Sequence, residues 1–183
     1  MMIPLGYLGV AASADFELIS TQVLSGFATS VTFSSIPSTY KHLQLRMTLR
    51  DNAGSVTDGQ SLLQFNGDTT AGDYAYHWLQ GNGGSVTSGN SITQPNIQLG
   101  HYAGGNNSTG MFGPTIVDIL DYTNTNKNKT VRSFAGNATA STYVGLYSGV
   151  WLNTGTITSI RLTNVLAGSY VTNSRFSLYG IRG

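Results

Sequence analysis

The feature that most constrains this chain is a strict two-residue alternation of apolar and polar side chains. It is clearest over residues 41–50, where Leu43, Leu45, Met47 and Leu49 alternate with polar residues. Successive side chains of a β-strand point to opposite faces, so this spacing predicts a strand that is buried on one side. An amphipathic helix would instead need apolar residues three and four positions apart. The segment is therefore interpreted as a half-buried strand.

The same alternation recurs along the chain between short clusters of Gly, Asn, Asp, Ser or Pro, which are typical turn residues. Eleven strands are predicted, at about 16–24, 29–36, 41–50, 61–66, 74–80, 93–102, 114–122, 129–135, 143–152, 156–165 and 173–181. So many short strands in one domain indicate two antiparallel sheets packed face to face. We therefore predict an all-β fold, a jelly-roll-like antiparallel β-sandwich over residues 15–183, preceded by an extended N-terminal arm over residues 1–14.

The composition argues against several classes of partner. Only 9% of the residues are charged, and the formal net charge is +1, whereas charged residues make up about 25% of an average globular domain. A near-neutral chain has no long-range field to attract nucleic acid or an anionic membrane, so neither partner is expected. No apolar run approaches the roughly 20 residues that a transmembrane helix needs. The absence of cysteine excludes disulfides and thiolate metal sites.

Catalytic and metal-binding patterns are weak in this sequence. His42 and His77 have no Asp or Glu at metal-ligand spacing. Asp118 and Asp121 are an odd number of residues apart, which places them on opposite faces of a strand and not in an acid/base pair. The simpler interpretation is that either carboxylate pairs with Arg132 or Lys129 on the following strand. We therefore predict no catalytic residues, no metal site and no cofactor, and a protein that is not an enzyme.

One strand invites a carbohydrate-binding hypothesis. In residues 143–151, the aromatic residues Tyr143, Tyr147 and Trp151 share one face with two glycines, while Val144, Leu146 and Val150 occupy the other. Rings separated by glycines make flat platforms on which a sugar can stack. The alternative is that both faces are buried and that the rings fill the sandwich core beside small residues.

The first 14 residues are apolar but follow neither helical nor strand periodicity. Pro4 and two glycines interrupt the segment and disfavour a regular element. The segment ends with small residues, and its larger side chains would be exposed to water in an isolated subunit. We expect these side chains to form an assembly contact with a neighbouring subunit, and the residues assigned to it are Leu5, Tyr7, Leu8 and Val10.

Several segments of the chain resemble a group of small virion structural proteins from tailed bacteriophages of aquatic bacteria. The resemblance covers most of the chain and includes no catalytic residues. It is carried by residues 33–37, 40–46, 65–68, 74–77, 117–122, 126–132 and 175–183.

This resemblance implies a location at the surface of a virion. A fibre needs a shaft, and the chain has neither coiled-coil heptads nor a β-helical repeat. The favoured function is therefore a capsid decoration or cement protein that binds the major capsid protein or other virion proteins as a homo-oligomer, with a trimer preferred. The alternative is a receptor-binding cap at a tail or fibre tip, which would recognise a host surface polysaccharide through the Tyr143, Tyr147 and Trp151 face.

Overall fold

The computed structural model describes residues 15–54, 58–138, 143–165 and 168–183, and these residues contain twelve strands and no helix. The proposed arm and its contact residues Leu5, Tyr7, Leu8 and Val10 lie outside the described residues. The strands are β1 (Phe16–Val23), β2 (Ser30–Phe33), β3 (His42–Leu49), β4 (Asp58–Phe65), β5 (Tyr74–Gly81), β6 (Val86–Gln94), β7 (Ile97–Ala103), β8 (Gly113–Leu120), β9 (Lys129–Asn137), β10 (Tyr143–Trp151), β11 (Ile160–Asn164) and β12 (Arg175–Ile181).

The strands form two antiparallel sheets of unequal width. The large sheet has eight strands in the order β1-β12-β3-β8-β9-β10-β5-β6, and the small sheet has four in the order β2-β11-β4-β7. The predicted all-β sandwich is therefore confirmed. The connectivity is compatible with a jelly roll. Within the described part of the chain there is also no helix long and apolar enough to cross a bilayer.

The core lies between the two sheets and is built from the inward residues of each alternating strand. All four apolar residues of β3 that alternate in the sequence are buried. Gly149 on β10 allows the sheets to approach closely, because a Cβ atom there would lie 2.5 Å from a side-chain carbon of Ile97 on β7. Replacing this glycine would force the two sheets apart or displace Ile97.

Each of the eleven predicted strands overlaps an observed one, and the bounds differ by a few residues at most ends. The twelfth strand, β6, is not among the predicted ones. It is the outermost strand of the large sheet, and most of its side chains are exposed. A strand with no buried face needs no apolar alternation, so β6 gives no period-two signal.

Two cations hold loops through backbone carbonyl groups and not through carboxylates. The Arg50 guanidinium donates hydrogen bonds to four carbonyl oxygens of the loop over residues 104–112, on Gly105, Asn107, Ser108 and Met111. Lys129 is buried, and its ammonium donates to three carbonyl oxygens, on Asn124, Lys127 and Thr154. Lys129 is therefore not the carboxylate partner considered from the sequence.

Candidate docking surface

The carboxylates considered for chemistry are both held by neighbouring side chains. Arg132 Nε donates to Asp118 Oδ2 at 2.9 Å, and Gln44 Nε2 donates to Asp118 Oδ1 at 2.7 Å. The predicted pairing of Asp118 with Arg132 is thus confirmed. Asp121 accepts a hydrogen bond from Lys127 Nζ at 2.8 Å, and this contact lowers the pKa of the Asp121 carboxyl. Both carboxylates therefore act as partners of nearby polar groups.

His42 and His101 make structural contacts. His42 Nδ1 accepts a hydrogen bond from the backbone amide of Asp121 at 2.9 Å. His77 is exposed on the outer side of β5. His101 is buried, its Nδ1 lies 2.6 Å from Asp58 Oδ2, and its ring stacks on Tyr143 with centroids 4.3 Å apart. Among the described residues, no group of three or more His, Asp or Glu side chains could hold a metal ion.

The residues predicted as a sugar platform are not assembled as an exposed surface. Tyr147 is 4% exposed and Trp151 is 2% exposed. Trp151 Nε1 donates to Asp68 Oδ2 at 2.7 Å, and the Tyr147 hydroxyl donates to Gln80 Oε1 at 2.6 Å. A stacking platform needs free ring faces, so the platform hypothesis is wrong for these two residues. The alternative, in which the rings fill the core, is supported for this face of β10.

The alternative also predicted that the opposite face of β10 is buried, and this part is wrong because that face is exposed. Its apolar residue Leu146 lies opposite Leu79 of β5 on one side and opposite Phe134 of β9 on the other, and Phe134 in turn lies opposite Ile116 of β8. The four side chains form one continuous line across four adjacent strands. We call Ile116, Phe134, Leu146 and Leu79 the outer apolar row; they are 42%, 53%, 56% and 50% exposed.

The strand register explains why these side chains come together. In each of the four strands, side chains point alternately to the core and to the outer face of the sheet. The strand register places one outward-pointing apolar residue of each strand directly opposite that of its neighbour. Strand spacing of about 4.8 Å makes the row roughly 14 Å long. The row faces away from the small sheet, and no other element of the described residues covers it.

A polar row borders the outer apolar row on one side. It follows the same register two residues along each strand and consists of Gln44, Asp118, Arg132, Ser148 and His77. A shallow depression of about 670 Å³ lies between the two rows and is lined by residues of both. The surface thus combines apolar contact area with hydrogen-bonding groups along one margin, as protein–protein interfaces do.

Further apolar residues extend the surface on the other side. Val144 lies one alternation before Leu146 on β10 and is 53% exposed, and Val86 of β6, opposite Gly81, is 74% exposed. Pro114 is exposed at the corresponding level of β8. Contiguous exposed apolar side chains of this kind mark sites of interaction with proteins or other apolar partners.

Sequence reasoning did not identify this surface. Ile116 and Phe134 look like core residues in the sequence, and the two apolar faces of β10 suggested burial on both sides. One usable signal was present, since a strand that is apolar on both faces needs a covering layer on each. No family model matches the chain, and neither curated proteins nor solved structures show a significant match to it.

Proposed function

We propose that this chain is a structural subunit of a bacteriophage particle, a decoration or cement protein on the head surface whose outer apolar row packs against a neighbouring subunit. The phage assignment rests on the resemblance of the sequence segments described above. The docking mode rests on one structural observation, the alignment of four exposed apolar side chains across β8, β9, β10 and β5.

Such an exposed apolar row is unfavourable in a subunit that stays alone in water. Burying apolar surface stabilises by about 25 cal/mol for each Å² removed from water. A chain with 9% charged residues also has little charge repulsion to keep subunits apart. Both properties suit a protein that occupies a fixed position in an assembly, beside the major capsid protein or other copies of itself in a homo-oligomer such as a trimer.

The proposal assigns no reaction to the chain. The two carboxylates considered from the sequence, Asp118 and Asp121, serve as partners of Arg132 and Lys127. The receptor-binding alternative required an aromatic platform for a host polysaccharide, and the burial of Tyr147 and Trp151 removes the observation that favoured it. The head location is therefore preferred.

Copy number in purified particles of the source phage tests this proposal. Quantitative mass spectrometry should find the chain in an amount comparable with that of the major capsid protein. A few copies per particle would support the tail-tip alternative. Absence of the chain from purified particles would contradict a virion function altogether.

A further inference from the structure

We infer that the outer apolar row binds the N-terminal segment, residues 3–10, of a second copy of this chain. The inference names the partner of the proposed docking surface and so rests on the proposed function. Residues 1–14 contain no Asp, Glu, Lys or Arg. The outer apolar row also contains no charged residue, so the two match in chemistry, and the larger side chains of the segment are Ile3, Leu5, Tyr7, Leu8 and Val10.

The length of the segment and its attachment point support this pairing. The described chain begins at Asp15, directly before β1, which is an edge strand of the large sheet. Fourteen extended residues reach about 46–50 Å. The outer apolar row is only roughly 14 Å long. A segment that starts at a sheet edge therefore has the reach to leave its own subunit and cover the whole row on a neighbour.

Covering the row of its own subunit is less favourable for the segment. Strands β12 and β3 separate β1 from β8 in the large sheet. The outer side of β3 is polar throughout, with His42, Gln44, Arg46 and Thr48. The guanidinium of Arg46 lies 4.7 Å from the ring centroid of Phe16 and forms part of this polar strip.

An apolar segment laid across the polar strip would remove these groups, including the Arg46 charge, from water without providing hydrogen-bond partners. A segment that arrives from a second copy reaches the row without crossing the strip. Pro4, Gly6 and Gly9 also disfavour its addition as a strand along the exposed edge of β6, because proline cannot donate to a ladder and glycine weakens a strand. Packing on the face of the sheet is therefore preferred to pairing at its edge.

The chain contains no cysteine, so single cysteines report proximity without background. Two variants are made, Leu5→Cys with an affinity tag and Leu146→Cys without one, and the full-length proteins are mixed and oxidised mildly. The expected product is a disulfide-linked heterodimer on a non-reducing gel. The matched control replaces Leu146→Cys with Thr32→Cys, an exposed position on the small sheet, and should give several-fold less heterodimer.

Two results would overturn the inference. One is a heterodimer yield no greater than that of the Thr32→Cys control. The other is an intramolecular disulfide in the double variant L5C/L146C together with no heterodimer in the mixture, which would place the segment on its own subunit. The copy-number measurement tests the proposed function separately. If the heterodimer forms but the chain is absent from particles, this pairing stands and the phage function is rejected. If the chain is present in particles but no heterodimer forms, only the pairing is rejected.

Discussion

Leu146 lies directly opposite Phe134 across the pairing of β10 with β9, and both side chains are more than half exposed. Phe134→Glu would place a charge in the middle of the outer apolar row. Because the side chain is exposed, we expect the free energy of unfolding to change by about 1 kcal/mol at most, the span of strand propensities. Incorporation into particles should be lost, as measured by co-purification of the variant with phage heads.

The matched control is Thr130→Glu, which places the same charge at an exposed position of β9 outside the outer apolar row. It should incorporate normally. Equal incorporation of both variants would show that the row is not the docking surface.

Trp151 tests the assignment of the aromatic face of β10 to the core. Trp151→Ala removes a ring that is 2% exposed and packs against Phe65 with centroids 5.5 Å apart. We expect a loss of about 3–5 kcal/mol in the free energy of unfolding, measured by chemical denaturation. The neighbouring Leu152→Ala, at a side chain that is 52% exposed, should cost less than about 0.5 kcal/mol. Equal effects would indicate that the Trp151 ring is exposed.

Lys129 is expected to stabilise the fold through its carbonyl contacts. Burial lowers the pKa of its ammonium, and the charge is compensated by three backbone carbonyl oxygens. Lys129→Met keeps the aliphatic stem but leaves these carbonyls without their donor, so we expect a loss of about 1–3 kcal/mol in unfolding free energy. Lys127→Met removes an exposed ion pair with Asp121 and should cost at most about 1 kcal/mol. A Lys127 effect as large as the Lys129 effect would contradict this account.

The buried carboxyl of Asp51 should make the free energy of unfolding depend on pH. The residue is fully buried, and burial raises the pKa of its carboxyl above the ordinary value of 3.8, against the opposing hydrogen bond from the Ala53 amide. Between the unfolded and folded pKa values the folded state binds more protons, so the Asp51 contribution to stability falls as pH rises through this window. Asp51→Asn keeps the acceptor for the Ala53 amide and should remove this fall, as measured by denaturation at a series of pH values.

The pKa shift of Asp121 has the opposite sign to that of Asp51, so its effect on stability should have the opposite pH dependence. Its hydrogen bond with Lys127 lowers the pKa of the carboxyl, so its contribution to stability is present above the unfolded value and is lost as pH falls through the folded value. Asp121→Asn should therefore flatten the acid side of the profile. The same slope change in both variants would contradict the assigned directions.

The alternation in the sequence predicted the sandwich because half-buried strands dominate this fold. In β3, all four predicted inward residues are buried. The alternation did not predict β6, since an exposed edge strand has no apolar face to maintain. Period-two patterns report burial on one side of a strand, so a strand without burial is not detected.

The proposed docking surface could not be predicted from the sequence because it depends on the strand register. Ile116, Phe134 and Leu146 are separated by 18 and 12 positions in the sequence, and only the pairing of β8, β9 and β10 aligns them. The alternation also does not tell which face of β10 points inward when both are apolar. The close approach of Ile97 to Gly149 decides this, because Gly149 leaves space for β7 of the small sheet on the aromatic side.

A reconstruction of the phage particle that we propose contains this chain, at a resolution that resolves side chains, tests the central claim most directly. We predict that the chain lies on the head surface and that Phe134 and Leu146 are buried against a neighbouring subunit. A subunit on the head with both side chains open to solvent, or a chain located only at the tail, would contradict the account.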